Sequence, residues 1–127
     1  MKRGYDPQEH LNLGRALAPL RDEGILILGS GLSYHNLSRF DASAARASSQ
    51  FDEWLQDSLL NLEPTERLDQ LIHWTRAPAA RIRHPREDHF IPLMVVVGAA
   101  EQDPATLVYH EKEFFGGITV SSFRFGN

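Results

Sequence analysis

Apolar and polar positions alternate along the chain in a way that marks most of its elements. Asp6-Pro7-Gln8-Glu9 has the marks of a helix start: Asp6 can cap, Pro7 suits the first helical position, and Glu9 sits where a capping box wants an acid. Leu13, Leu17 and Leu20 follow at i, i+4 and i+7, which places them on one helical face. Pro19 has no N–H to give the Arg15 carbonyl, so the helix kinks or ends there, and Gly24 suits the exit. Ile25 to Leu28, between Gly24 and Gly29, is apolar throughout. That is the pattern of a strand covered on both faces and parallel to its neighbours. A helix feeding such a strand predicts α/β layering.

Residues 41–49, rich in Ala and Ser, read as loop or weak helix. Phe51, Leu55, Leu59 and Leu62 share a helical face, with Trp54 beside them. Pro64 opens a shorter helix with Leu68, Leu71, Ile72 and Thr75 on one side, and Pro78 ends it. Residues 79–86 form a connector. The stretch 87–100 is apolar on every side, so period alone does not separate helix from strand. Pro85, Glu87 and Asp88 favour a helix start, whereas Pro92 fits only near a first turn. Thr106–His110 and Gly117–Phe125 read as two closing strands, paired antiparallel across the intervening charged and glycine residues.

The totals narrow the function. A chain of 127 residues, 42% hydrophobic and 24% charged, suits one globular domain, residues 1–127, with a real core. A net charge of -4 gives no basic field for nucleic acid. Without cysteine there is no disulfide, thiolate metal site or cysteine nucleophile. No apolar h-region follows Met1-Lys2-Arg3, and the longest apolar run, Leu93 to Ala100, is too short to span a bilayer. The expected setting is cytoplasmic, with no membrane partner.

Histidines carry the candidate chemistry. His35 follows the Gly29-Ser30-Gly31 turn, beyond the carboxyl end of the predicted strand, where ligands bind in open α/β sheets. The turn is neither a dinucleotide fingerprint, since Tyr34 stands where the third glycine belongs, nor a nucleophile elbow. His35 serves as a general base or metal ligand, or is simply bonded to nearby backbone. His84 and His89 are five residues apart and do not share a helical face, which excludes a zinc-protease pair. His89 adjoins the apolar run and is the better site candidate, while His84 reads as a surface residue near a helix start. His10, His73 and His110 read as packed or solvated. Arg76, Arg81, Arg83 and Arg86 form a basic cluster that either meets an anionic substrate or is a solvated face.

Three stretches resemble one family: residues 29–37 (Gly-Ser-Gly-Leu-Ser-Tyr-His-Asn-Leu), residues 79–93 with His84-Pro85-Arg86-Glu87-Asp88-His89-Phe90-Ile91-Pro92-Leu93 at their end, and the tail Ser121-Ser122-Phe123-Arg124-Phe125-Gly126. Together they are similar to the class III extradiol ring-cleavage dioxygenases, in the branch of DOPA 4,5-dioxygenase-like enzymes. The resemblance implies an α/β fold, helices packed on a small mixed sheet, corresponding to the C-terminal half of that family's domain. It implies O2-dependent opening of a catechol-type ring at a non-haem metal, Fe(II), with Zn the alternative in protein as isolated. His35 then resembles the acid/base residue or a further group at the metal, and His89 a metal ligand. Ser30, Tyr34, Asn36 and His84 are candidate substrate contacts. Family members carry two more histidine ligands in an N-terminal half that this chain does not match, and His10 fits neither. A complete site therefore calls for a separate N-terminal-half chain or a homo-oligomer. The alternatives are a non-catalytic remnant or binding module of the same fold, and a hydrolase or other metal enzyme using His84, His89 and His110.

Overall fold

Asp6 caps the first helix: its carboxylate accepts the backbone N–H of Glu9 at 3.2 Å, and Pro7 opens α1 (Pro7–Leu17). The computed structural model describes residues 5–33, 44–84, 88–114 and 117–126. Over these the chain forms α1, α2 (Pro19–Asp22), α3 (Ala45–Gln56), a π-helical turn at Asp57–Asn61 and α4 (Pro64–Ile72). A 3-10 turn at Trp74–Arg76, α5 (Ala80–Arg83), α6 (Pro92–Ala99), β1 (Ala105–Phe114) and β2 (Ile118–Phe125) complete it. Pro19 divides α1 from α2, as its missing N–H requires. Pro92 sits at the first position of α6, which resolves the ambiguity of the apolar stretch. The helix starts there, after a turn at residues 88–91, and not at residue 87.

The buried face of α1 is His10, Leu11 and Gly14, whereas Leu13, Leu17 and Leu20 are only half-buried. The reason lies in its partner. α1 packs on α6 with Gly14 facing Gly98, so closely that a β-carbon on Gly14 would collide with the Val95 carbonyl and one on Gly98 with the Leu11 carbonyl. The face with the smallest residue, and not the one with most leucine, makes that approach.

Phe51, Leu55 and Leu59 are buried on one face of α3 and the turn after it, as their spacing predicts. The helix begins at Ala45, so the Ala/Ser-rich stretch is helical where described. Leu71, Trp74, Phe90, Ile91, Met94 and Val97 complete the core. The sheet is antiparallel, with Ala105 opposite Phe125, His110 opposite Ser121 and Phe114 opposite Ile118. β2 is sewn to α3 by the Thr119 N–H, which donates to the Ser48 hydroxyl at 2.9 Å. Helices packed on a small sheet are the expected architecture.

The predicted buried parallel strand at residues 24–29 does not form. Residues 24–30 carry no regular structure, and Ile25, Leu26 and Leu28 are 47%, 85% and 81% exposed. A strand is fixed by a neighbouring ladder, and among the described residues no strand lies beside this segment. Among the described residues the sheet is the antiparallel pair β1–β2. Among the described residues no helix is long and apolar enough to cross a membrane.

Arg67 on α4 is buried, and the apolar periodicity gave no sign of it. Its guanidinium donates to the carbonyls of Glu101 at 2.6 Å, Asp103 at 3.0 Å and Ala100 at 3.4 Å, and lies 5.4 Å from the Phe125 ring centroid. Burial pushes the guanidinium below its ordinary range, while Asp103 and Glu101 oppose the shift. The charge collects the orphan carbonyls beyond the C-terminus of α6, where the helix dipole favours a cation. Arg15 adds a more exposed tie: its hydrogen bonds to Glu101 hold that carboxyl below the usual range.

Two substitutions test this account. Gly98→Ala should lower stability by about 2 kcal/mol, read as a lower urea midpoint with unchanged slope, because neither helix backbone can give way. Arg67→Met should lower it by about 2–3 kcal/mol through the abandoned carbonyls. A midpoint equal to the parent's in either case would remove the corresponding contact from the account.

Candidate functional site

The Gly29-Ser30-Gly31 turn lies against the start of α6. A β-carbon on Gly31 would collide with the His89 carbonyl, and one on Gly29 would come to 2.5 Å from the Val96 side chain and 2.9 Å from the Pro92 carbonyl. Only glycine permits this approach of backbone to backbone. The contact brings the turn to His89, which stands in the turn before α6.

A cleft of about 290 Å³ opens along this seam. Leu55, Phe90, Leu93, Phe123 and Phe125 supply apolar wall, and Ser33, Ser121, Ser122 and His89 supply polar edge. Its size is near the lower end for small-molecule sites. The His89 side chain is 42% exposed, with Nε2 4.0 Å from the Asp88 carboxylate. The imidazole thus stands at the edge of the cleft.

His84 is the main correction at the site. It is not on the surface: it is fully buried among Phe51, Trp74 and Phe90, with ring centroids 5.5, 6.0 and 5.0 Å away. Its Nε2 lies 3.2 Å from the Ser33 carbonyl oxygen and donates to it. His84 is not among the residues lining the cleft, and its bond to Ser33 supports the segment after the Gly-Ser-Gly turn. The aromatic cluster explains the burial, since α3, the Trp74 turn and Phe90 converge on one imidazole. Ser30 is exposed between its two glycines and is not part of the cleft wall. Tyr34, His35 and Asn36 lie outside the described residues.

A second tie holds the same segment. The Ser121 N–H donates to the Ser33 hydroxyl at 3.0 Å. Ser121 in turn meets His110, whose Nδ1 is 2.8 Å from the Ser121 hydroxyl and 3.5 Å from the carboxylate of buried Asp52. Reading the sequence gave none of this network. Alternation along β2 does put Ser121, Phe123 and Phe125 on one face, but the cleft that face meets is made by a segment some ninety residues away.

The remaining histidines do not join the cleft. His10 is buried with Nδ1 2.8 Å from the Asp6 carbonyl, and exposed His73 bonds the Asp69 carbonyl one turn back. Among the described residues no three His, Asp or Glu side chains gather to hold a metal. Arg81, from the basic cluster, lies over Trp74 with its guanidinium carbon 5.0 Å from the ring centroid.

His84→Phe should keep the aromatic packing and lose the bond to Ser33. The expected loss is about 1 kcal/mol in urea unfolding, and no loss would show that the carbonyl bond carries nothing.

Comparison with known proteins agrees with this architecture. The family described as the catalytic LigB subunit of aromatic ring-opening dioxygenase matches residues 3–126. The 4,5-DOPA dioxygenase extradiol of Portulaca grandiflora is 38% identical over 96% of this chain and 45% of its own length. The Beta vulgaris protein of the same name is 34% identical over 94% and 45%. That of Escherichia coli (strain K12) is 31% identical over 92% and 44%. A crystal structure of an uncharacterised Escherichia coli K12 protein superposes with a TM-score of 0.76 at 27% identity, over 92% of this chain and 49% of that one. The chain thus spans about half the length of the curated relatives it matches. With nearly every residue matched, the chain belongs to the LigB family of aromatic ring-opening dioxygenases.

Proposed function

We propose that this chain contributes the C-terminal-half share of an extradiol dioxygenase centre, opening a catechol-type ring with O2 at a non-haem metal, Fe(II). The observation that carries this is the contact of the Gly29–Gly31 turn with His89 at one wall of an apolar cleft. The family match and the extradiol dioxygenases among its relatives support the reaction class.

The described residues fit one ligand position. His89 is an exposed imidazole at the cleft edge, and neutral imidazole suits Fe(II). In this reading His35 supplies a second imidazole, either at the metal or as the group that takes and returns a catechol proton. When bound, the metal supplies the Lewis acidity and redox chemistry that let O2 react with the ring. The chain itself holds the aromatic face between apolar walls and shields it from water.

The other donors come from outside these 127 residues, in an N-terminal half or in another copy. Two features support this. Ile25, Leu26 and Leu28 are exposed close together, and Ile25 and Leu26 border a hollow of about 770 Å³ whose other walls include Arg15, Arg21, Asp22 and Asp103. Apolar residues this open mark a surface that is covered in use.

Loading the protein with Fe(II) without air and then adding catechols and O2 tests the reading, with the chain alone and mixed with an N-terminal half from a related dioxygenase. The expected result is O2 uptake matched by a ring-opened product. His89→Ala should reduce it at least ~100-fold, the scale reached by loss of outer-shell support alone. Folded protein that binds catechols without O2 uptake in either condition would overturn the reading in favour of a binding module.

A further inference from the structure

We propose that Ser121 is a preset hydrogen-bond donor on the cleft wall, held by His110 and Asp52, that selects aromatic ligands bearing an anionic oxygen. The ligand class rests on the catechol reading above, whereas the donor itself rests on geometry alone.

His110 Nδ1 faces two oxygens at once, the Ser121 hydroxyl at 2.8 Å and the Asp52 carboxylate at 3.5 Å. The same carboxylate oxygen accepts the Gln56 amide at 2.7 Å and is buried, so it is held in place. An imidazole lone pair aimed at a carboxylate oxygen is repelled, so the proton sits on Nδ1. That holds whether the ring carries one proton or two. Nδ1–H therefore donates to the Ser121 oxygen. A hydroxyl whose oxygen already accepts keeps its own hydrogen for another acceptor, and among the described residues none is supplied by the protein.

The Ser121 hydroxyl is held by its 2.8 Å contact with His110 Nδ1. The residue's backbone N–H is committed to the Ser33 hydroxyl at 3.0 Å, and its strand position is fixed opposite His110. It lines the cleft that also holds His89, Phe90 and Phe123, and no Asp or Glu is among the described residues of that wall. An oriented donor in an apolar wall without a competing acid favours a phenolate or carboxylate oxygen on an aromatic ring. The pattern is not a Ser-His-Asp triad, because both oxygens meet the same ring nitrogen and the serine is not set up to lose its proton.

The experiment uses the full chain and 4-nitrocatechol, a coloured probe, with 1,2-dimethoxy-4-nitrobenzene as its neutral counterpart. Ser121→Ala should weaken 4-nitrocatechol about 10-fold, equivalent to about 1.4 kcal/mol, and leave the neutral compound unchanged. His110→Ala should give the same loss, and the double variant no more, because the two side chains act as one device. His110→Asn should restore most of the affinity, since its amide N–H stands near where Nδ1–H stood. Long-range proton–nitrogen spectra of the parent should show His110 protonated at Nδ1, a readout that needs no variant to fold. Unchanged binding by folded Ser121→Ala, equal losses for both compounds, no measurable binding by the parent, or a bare Nδ1 would each overturn the proposal. O2 uptake by the parent protein would leave the ring-opening reading standing even then, so the two fail separately.

Discussion

Backbone resting on backbone at Gly31 and His89 is the constraint from which the site follows. Any side chain at position 31 would push the turn off α6. The cleft exists because the turn is held there, with the apolar face of β2 closing the other side. The two ties on Ser33, one from buried His84 and one from the backbone of Ser121, hold the chain just after the turn. Residues from four separate parts of the sequence thus depend on one close approach.

His84 shows how a polar residue can be structural in a cleft-bearing domain. An imidazole inside a ring of aromatics is tolerated when its N–H finds a carbonyl, and the Ser33 carbonyl is that acceptor. The same logic holds Arg67, whose charge is buried only because three carbonyls at the end of α6 converge on it. Both residues tie sequence-distant segments together, which apolar contacts alone do less specifically.

The apolar segment after α2 carries the opposite lesson. Its composition is that of a buried strand, yet its side chains are open to solvent. Among the described residues no strand lies beside it, and a segment without a neighbouring ladder is not held as a strand. Composition states what a segment needs, and the neighbouring chain decides whether the need is met.

Much of the local structure was written in single residues. The Asp6 cap, the Pro19 break, the Phe51–Leu55–Leu59 face and the two closing strands all follow from side-chain sterics and short-range periodicity, which act within a few positions. His89 was legible as a site candidate because it adjoins an apolar run, and the family was legible in three stretches of sequence. What only tertiary structure decided were long-range facts: the choice of the glycine face of α1 over its leucine stripe, the burial of His84 and Arg67, and the alignment of Asp52, His110 and Ser121. Each depends on which segment lies opposite, and a hydrogen bond or a close helix crossing leaves no periodic trace in either partner's own sequence.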